Sequence, residues 1–307
     1  MNEVSPEDSS SRHKRRSFFL RVRAVELSII GAGKTGRTLG LLARRAGYEI
    51  GAVVCRRLAH AREAAAFIGG GRPGTTPEAS ALTILAVPDG EIAGIARLLR
   101  LPRGGVVAHT CGSLGAEALR PLHPAGAIHP LRSFADPRRA AADFPGTACA
   151  IDGDPKAVAA LERFARALGG EPLRVKTARK ALYHAGAVFA SNYLVALLEA
   201  ALRLFEKAGV PRRKAADVLL KLSEGTLANV ASVGIPAALT GPIERGDAKT
   251  VRLHVQALAA DAPALWGPYA SLGGLTVDVA RAKGSIDGGG ARRIQYALVP
   301  KKETSRR

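Results

Sequence analysis

The chain has 307 residues, of which 47% are hydrophobic, and a formal net charge of +19 at pH 7. This length is enough for two domains of ordinary size that each bury a core. No uninterrupted apolar run reaches the roughly 18 residues of a membrane span, and the polar, acidic N-terminus lacks the apolar core of a secretory signal. The cysteines Cys55, Cys111 and Cys149 are scattered, which favours a reducing, cytoplasmic compartment and argues against structural zinc. No bound metal is predicted.

The positive charge is densest at the two ends of the chain. Residues 1–23 are rich in serine and then basic, which predicts a disordered leader, and residues 288–307 are predicted to be an unstructured basic tail. Such charge could attract nucleic acid nonspecifically. We favour a solvated arginine-rich surface that also suits an anionic cofactor, because the remaining charge is spread without dense clusters or interleaved aromatic residues. No specific nucleic-acid or membrane partner is therefore expected.

A glycine-rich loop between a predicted strand and a predicted helix is the clearest motif. The loop follows an apolar run over 25–30 and consists of Gly31, Ala32, Gly33, Lys34, Thr35 and Gly36. In this context G-x-G-x-x-G predicts a dinucleotide site. Its first glycine permits a tight turn, the second lets a pyrophosphate approach the backbone, and the third lets the helix pack closely on the strand. The phosphates would meet free N–H groups at the start of the helix.

The residues after the second predicted strand, over 50–55, indicate which dinucleotide would bind. NAD-specific folds place an acidic residue there to bond the ribose hydroxyls. Arg56 and Arg57 occupy this place, and guanidinium groups can hold a 2′-phosphate through paired hydrogen bonds. We therefore predict NADP as the cofactor. The alternative is that two arginines fall together by chance in an arginine-rich chain.

The strand predicted over 81–87 ends in a loop that we expect to border the cofactor. Ligands in this architecture lie beyond the carboxyl ends of the strands. The loop residues of interest are Val87, Pro88 and Asp89. Asp89 is a suitable N-cap for the helix predicted over 92–99, so capping is favoured over catalysis for its side chain.

Two histidines follow the next predicted strands. His109 follows a strand over 105–108, and His129 follows a short strand over 126–128. A histidine at a strand end is well placed for chemistry, although a structural role for His109 is an equal alternative. Ser113 is predicted to cap a helix that runs to residue 119.

The α/β pattern gives way to helices near residue 176. A strand over 146–151, a helix over 155–168 and a strand over 172–175 complete a predicted dinucleotide-binding domain, which we place at 24–176. The following domain, at 177–287, is predicted to be all-helical. Its helices are expected over 181–208, 212–225, 226–238, 248–259 and 262–282, the last of them broken near residues 273–274.

The first long helix carries polar residues in an otherwise apolar sequence. These residues are Lys180, His184, Ser191 and Asn192. At about 100° per residue, His184 and Ser191 lie within about 20° of each other on one helix. Because unpartnered buried polar groups are costly, this face predicts either a buried network or a site, and we favour a site.

The order of the motifs resembles a bacterial family that pairs a Rossmann-like domain with a helical domain of unknown function. The resemblance spans roughly residues 26–285 and rests on GAGKTG, AVPDGEI, HTCGSLGAEAL, HPLRSFAD, YHAGAVFASNYLVALL and LTGPIERGD. The build is similar to that of pyrroline-5-carboxylate reductase, ketopantoate reductase and prephenate dehydrogenase. It implies a Rossmann-like domain followed by an all-α domain like the C-terminal domain of 6-phosphogluconate dehydrogenase. It also implies a homodimer formed through the helical half.

The resemblance and the residues together predict an NADP-dependent oxidoreductase. Its substrate would be a small carbonyl, imine or hydroxyl compound bound at the interdomain cleft. His184 is the predicted acid/base because the pKa of histidine lies near neutrality. Lys180 is a second candidate for that role. The other predicted catalytic residues are Ser191 and Asn192, which would orient the substrate, and His109 and His129, which would approach from the Rossmann side.

A smaller group of residues is expected to contact the substrate. Its members are Ser113, Gly241 and Arg245. Arg245 could hold a substrate carboxylate, and an equal alternative is that it forms a clamp with Asp247 within the same loop. Two other classes of protein stay open. One is a catalytically silent sensor or regulatory protein that binds NADPH, and the other is a protein that binds nucleic acid through its basic ends.

Overall fold

The computed structural model describes residues 24–300. The chain forms two compact units, Met1–Ala187 and Val188–Arg307. The domain limit predicted after residue 176 precedes this division by the first part of one helix. The predicted leader over 1–23 lies outside the described residues, as do residues 301–307 of the predicted tail.

The first unit is built on one eight-stranded sheet. Its strands are β1 (Glu26–Ile30), β2 (Glu49–Val54), β3 (Arg72–Gly74), β4 (Leu82–Leu85), β5 (Val106–His109), β6 (Ala125–Pro130), β7 (Ala148–Gly153) and β8 (Glu171–Arg174). The order across the sheet is β3-β2-β1-β4-β5-β6-β7-β8, and neighbouring strands are parallel except for β6 and β7. The order changes direction between β1 and β4, and the crevice outside such a switch point is where ligands bind in this class of sheet.

Helices pack on the sheet of the first unit and give it two buried clusters. The helices are α1 (Lys34–Arg45), α2 (Leu58–Ile68), α3 (Ile92–Leu98), α4 (Pro137–Ala142) and α5 (Pro155–Ala167). A further helix, α6 (Lys180–Ala190), begins in the first unit and ends in the second. Ile29 of β1 packs in a cluster with residues of α1, whereas the next residue, Ile30, packs in a second cluster with residues of α3. Successive side chains of a strand point to opposite faces, so the two clusters cover both faces of the sheet.

Two predicted helix caps in the first unit are wrong. Asp89 begins a 3₁₀ turn, Asp89–Glu91, and its side chain makes no capping bond to α3. Ser113 does not cap the 3₁₀ turn Ala116–Leu119, because the N-cap residue of that turn is Gly115. The predictions also missed β3, which lies in a glycine- and proline-containing segment, and α4, which Asp136 caps by accepting from the backbone N–H of Arg139.

All the regular secondary structure in the described residues of the second unit is helical. Its helices are α7 (Asn192–Lys207), α8 (Arg212–Val233), α9 (Ile235–Ala238), α10 (Ala248–Asp261), α11 (Pro263–Lys283) and α12 (Gly288–Ala297). Its core includes Val251 of α10, Val277 of α11 and Ile294 of α12, all of which are fully buried. The fold is therefore a Rossmann-like α/β domain followed by a helical domain, as the sequence predicts.

Three predictions in the second unit are corrected. Helix α8 is continuous through the break expected after residue 225, and α11 is continuous through Gly273. A Cβ atom at Gly273 would lie 2.6 Å from Leu298 Cδ2, so this glycine allows close packing and does not end the helix. The segment predicted to be an unstructured tail instead begins as α12. Asp287 caps that helix by accepting from the N–H of Gly290 at 2.6 Å, and the buried side chain of Ile294 anchors it.

The long helix predicted over 181–208 is interrupted. Ser191 has φ −120° and ψ −70°, which is not helical, and it separates α6 from α7. The angular spacing of an unbroken helix therefore does not relate His184 to Ser191. Among the described residues, the stretch Thr177–Lys207 has the length and composition of a membrane-crossing helix. The stretch contains Lys180, His184 and Glu199 and is interrupted at Ser191, so it is not an uninterrupted apolar run.

Candidate active site

The glycine loop after β1 has the geometry that a dinucleotide-binding turn requires. Gly31 has φ +88°, and a Cβ atom there would lie 2.5 Å from the carbonyl oxygen of Ala86. A Cβ atom at Gly36 would collide with the carbonyl oxygen of Gly31, so α1 approaches the loop closely. At Gly33, by contrast, a Cβ atom would meet nothing within 4 Å. The Gly33 backbone, at the N-cap of α1, is therefore accessible to a phosphate group.

A cavity of about 1140 Å³ opens beside this loop. Of the predicted cofactor residues, those that line it are Gly31, Ala32, Gly33, Lys34, Arg56, Arg57, Val87 and Pro88. Thr35, Gly36 and Asp89 lie outside the lining. The cavity thus brings together the N-terminus of α1, the end of β2 and the loop after β4, which are the places where the fold presents ligands.

The wall of the cavity carries four lysine and arginine residues among apolar residues and the acidic residues Glu63, Glu91 and Asp136. Arg56 and Arg57 are exposed at the end of β2, as is Lys34 at the start of α1. Arg37 also lines the cavity, donating from Nε to the carbonyl of Ala32 at 3.2 Å and pairing with Glu63 at 3.3 Å. Arg37 was not predicted from the sequence, although its place one turn after Gly33 was the available signal. The arrangement suits an anionic ligand.

His109 has a structural role that its place at a strand end did not reveal. Its side chain is fully buried, and Nε2 lies 2.9 Å from the carbonyl oxygen of Gly115. Nδ1 accepts the backbone N–H of Cys111 at 3.2 Å, so Nε2 is the nitrogen that carries the proton. Burial lowers the pKa of His109, which keeps the ring neutral. Both nitrogens bond to backbone, so His109 fixes the loop after β5 and is not available to a substrate.

Lys180 is likewise paired inside the protein. Its Nζ lies 2.8 Å from Oδ1 of Asp152, and the side chains of the two residues are only 1% and 3% exposed. Lys180 also donates to the carbonyl oxygen of Cys111 at 3.4 Å. These contacts make Lys180 part of a buried network. Asp152 was not predicted from the sequence, because it lies near the end of β7 and belongs to no local motif.

Two histidines meet around Gly112. The rings of His129 and His184 have centroids 5.5 Å apart in an edge-to-face arrangement. A Cβ atom at Gly112 would lie 2.5 Å from Nδ1 of His184 and 2.9 Å from Nε2 of His129, so only glycine leaves room for both rings. Tyr183 completes the group, because its hydroxyl lies 2.9 Å from Nδ1 of His129. We call His129, Tyr183, His184 and Gly112 the histidine cluster.

The histidine cluster has altered proton affinities. Burial lowers the pKa of His129 to about 4, and the nearby charges of His184 and Lys180 act in the same direction. Burial also raises the pKa of Tyr183 to about 12. Nδ1 of His184 is buried without a hydrogen-bond partner within the described chain. The cluster therefore contains a neutral His129, a neutral tyrosine and an imidazole nitrogen with unused hydrogen-bonding capacity.

The cavity and the histidine cluster are connected through neighbouring loops. Pro88 lines the cavity, and Oδ2 of the next residue, Asp89, lies 3.5 Å from Oγ of Ser113. Ser113 directly follows Gly112, and its Oγ lies 3.2 Å from Sγ of Cys111. The loops after β4 and β5 thus connect a wall residue of the cavity to the residue that follows Gly112.

The remaining predicted site residues belong to the second unit. Ser191 and Asn192 are exposed at the start of α7, and Arg245 is exposed in the loop that follows Gly241. The proposed clamp between Arg245 and Asp247 is not formed. Asp247 instead caps α10, accepting the N–H of Thr250 at 3.0 Å and its hydroxyl at 2.6 Å. These hydrogen bonds lower the pKa of Asp247.

Two family models match the chain. Residues 7–132 match a Rossmann-like domain, and residues 147–276 match a domain of unknown function, DUF2520. The chain joins a Rossmann-like domain to a DUF2520 domain. This agrees with the resemblance found in the sequence motifs. No curated protein sequence matches the chain significantly.

Several solved structures are similar to this Rossmann–DUF2520 chain. Protein TM1727 from Thermotoga maritima is 25% identical with a TM-score of 0.70, over 83% of this chain and 99% of that one. A putative NADP oxidoreductase, BF3122 from Bacteroides fragilis, is 24% identical with a TM-score of 0.66, over 89% and 98%. A 1-pyrroline-5-carboxylate reductase from Streptococcus pyogenes is 15% identical with a TM-score of 0.57, over 89% and 99%. At these identities the last two likenesses show a shared fold.

Proposed function

We propose that the protein is an NADP-dependent oxidoreductase acting on a small carbonyl, imine or hydroxyl compound. The observation that carries the proposal is the cavity at the switch point of the sheet, with the glycine loop and Arg56–Arg57 on its wall. Proteins of similar fold that are named as an NADP oxidoreductase and as a pyrroline-5-carboxylate reductase support the same class.

The residues of the cavity fit NADP. Gly33 and the first turn of α1 would hold the pyrophosphate, since that turn presents backbone N–H groups without intrahelical partners. Arg56 and Arg57 would hold the 2′-phosphate, and Lys34 adds positive charge beside the loop. When bound, the cofactor supplies or accepts a hydride. The protein must then position the substrate and handle the proton.

We assign proton handling to the histidine cluster. Tyr183 fixes the orientation of His129, and the low pKa of His129 keeps that ring neutral near pH 7. His184 makes no side-chain hydrogen bond within the described chain, and because its Nδ1 is buried, Nε2 would be the nitrogen that exchanges a proton with a substrate. The buried contacts of Lys180 and His109 leave His184 as the residue best placed for acid/base catalysis, with His129 beside it as a neutral hydrogen-bonding partner.

Turnover assays test this function directly. NADPH oxidation would be followed with a panel of small ketones, aldehydes and cyclic imines, and NADP reduction with the corresponding hydroxyl compounds and amines. We expect turnover with at least one class. Tight NADPH binding without turnover across the whole panel would support the alternative, an NADPH-binding sensor or regulatory protein.

We also propose that the protein is a homodimer in the cytoplasm. Helices α7 and α8 of the second unit expose large apolar side chains, which commonly mark an interface. These residues are Tyr193, Val195, Leu197, Val218, Leu220, Leu222 and Leu227. The three cysteines are free, which suits a reducing compartment. Sedimentation should give about twice the chain mass of 32.0 kDa, and a clean monomer would contradict the dimer.

A further inference from the structure

We propose that the buried pair of Lys180 and Asp152 is a positioning device that sets the geometry of the histidine cluster. Its two side chains bind the loop after β5, which contains Gly112, and the start of α6, which carries His184. The consequence for catalysis rests on the proposed function, whereas the positioning itself does not.

Asp152 joins three segments of the first unit. Its Oδ1 accepts from Lys180 Nζ at 2.8 Å. Its Oδ2 accepts from the hydroxyl of Thr177 at 3.1 Å and from the backbone N–H of Ala116 at 3.2 Å. The carboxylate near the end of β7 therefore binds the turn before α6, the first residue of α6 and the loop that follows β5.

Lys180 extends this junction to the residue beside Gly112. Its Nζ donates to the carbonyl oxygen of Cys111, which directly precedes Gly112. Residues four apart lie on the same face of a helix, so Lys180 and His184 occupy one face of α6. The bond to Cys111 thus holds the loop against the helix face that carries His184, one turn further along.

The position of Gly112 matters because the rings of His129 and His184 pack tightly against it. A Cβ atom there would lie under 3.0 Å from both His184 Nδ1 and His129 Nε2, so the two rings already pack closely on its backbone. A small displacement of the loop changes the spacing of both rings at once. A buried ion pair adds little stability over apolar packing of the same volume, but its hydrogen bonds are directional. That directionality is what positioning requires.

The charges that face His129 come from several elements. Lys180 and His184 lie on α6, as does Tyr183, which bonds to Nδ1, and Asp89 lies in the loop after β4. Lys180 and His184 lower the pKa of His129, and Asp89 raises it. Lys180 is the member of the ion pair that acts on the pKa of His129. Removing its charge should raise the pH at which His129 takes up a proton, and removing the Asp152 charge with it offsets part of that rise.

The test measures the imidazoles by NMR in the full-length protein, without substrate or cofactor. Nitrogen-detected spectra of the histidine side chains, assigned with His129→Asn and His184→Asn, would be recorded across pH in wild type and in Lys180→Met/Asp152→Asn. The double variant removes both charges together. We expect displaced His129 and His184 resonances and a His129 titration midpoint above its wild-type value of about 4. The single variant Lys180→Arg keeps the charge and the hydrogen-bond donors. Its histidine resonances and His129 midpoint should lie closer to the wild-type values than those of the double variant.

Two further variants keep the test decisive. Thr177→Val, which removes one hydrogen bond to Asp152 at an exposed position, replaces the double variant if that one does not fold. It should move the same histidine resonances by a smaller amount. Glu162→Gln is the control, because it weakens an exposed ion pair with Arg174 in the same unit. It should leave the histidine resonances unchanged.

The outcomes separate this inference from the proposed function. Folded variants with histidine spectra identical to wild type would overturn the positioning role, whatever the activity of the protein. Failure of wild type to bind NADPH would overturn the proposed function and leave the NMR result interpretable. Where turnover is found, the double variant should lose roughly 10- to 100-fold in kcat with NADPH affinity unchanged, because the ion pair acts through geometry.

Discussion

The cavity and the histidine cluster of the first unit differ in residue type and in burial. The cavity combines the backbone of a glycine loop and exposed basic side chains with apolar and acidic residues. The cluster packs two half-buried imidazoles and a tyrosine against one glycine, beside a fully buried ion pair. Exposed positive charge attracts an anion, whereas burial changes which groups carry protons. The first region is thus suited to holding a cofactor and the second to moving protons.

The largest expected effect is on turnover. His184→Ala should lower the rate by roughly 10²- to 10⁴-fold, the usual contribution of a general acid or base. NADPH affinity should not change, because His184 does not line the cavity. Steady-state kinetics and NADPH titration measure the two quantities. His254→Ala is the control, since His254 lies in the second unit, where its ring contacts the hydroxyl of Tyr269 at 2.9 Å, and belongs neither to the cavity lining nor to the histidine cluster. An unaffected rate in His184→Ala would remove His184 from the mechanism.

A second prediction concerns the stability of the buried ion pair. Lys180→Met should cost about 3–5 kcal/mol, because it leaves the Asp152 carboxylate buried without its partner charge. Urea unfolding measures the loss. Arg212→Met provides the comparison, since it breaks ion pairs with Glu199 and Glu206 that are exposed and should matter little. An equal decrease in the free energy of unfolding in the two variants would show that burial of the ion pair does not increase the cost of breaking it.

The third prediction concerns pH. The pKa of His129 is lowered to about 4 in the folded protein, so the unfolded chain binds this proton more readily. Stability should therefore rise with pH across about 4 to 6.5 and fall on acidification through the same window, by up to about 3 kcal/mol. Urea midpoints of wild type and His129→Asn measure this contribution. A pH dependence that His129→Asn leaves intact would assign it to other groups, and His60→Asn, at an exposed histidine, is the control.

The smallest expected effect belongs to the cavity. Arg56→Ala with Arg57→Ala should weaken NADPH binding by roughly 10- to 100-fold and leave NADH binding almost unchanged, because charge-assisted hydrogen bonds to the 2′-phosphate would be lost. Arg62→Ala is the control, since it removes an exposed arginine of α2 that does not line the cavity. Equal losses for both cofactors would place Arg56 and Arg57 elsewhere than at the 2′-phosphate.

The cavity could be predicted from the sequence because local backbone geometry creates it. The roles of Gly31, Gly33 and Gly36 depend on a strand, a tight turn and a helix that are consecutive in the chain. Arg56 and Arg57 follow β2 directly, so their place at the carboxyl edge of the sheet also follows from local order. The order of strands and helices was predictable for the same reason, apart from β3, α4 and α12.

The histidine cluster could be predicted only in part, because distant segments create it. His129, His184 and Gly112 come together through the pairing of β5 with β6 and through α6, and no local pattern encodes their distances. Asp152 lies near the end of β7, which pairs with β6 in antiparallel fashion. A residue type at a strand end gave no indication that His109 would bond to backbone through both nitrogens. The sequence likewise gave no indication that Lys180 would be buried.

Titration of the full-length wild-type protein with NADPH and with NADH tests the central claim most directly. We predict that NADPH binds more tightly, by roughly 10- to 100-fold, because Arg56 and Arg57 stand where an acidic residue would otherwise bond the ribose. Equal affinity for the two cofactors, or tighter binding of NADH, would contradict that claim.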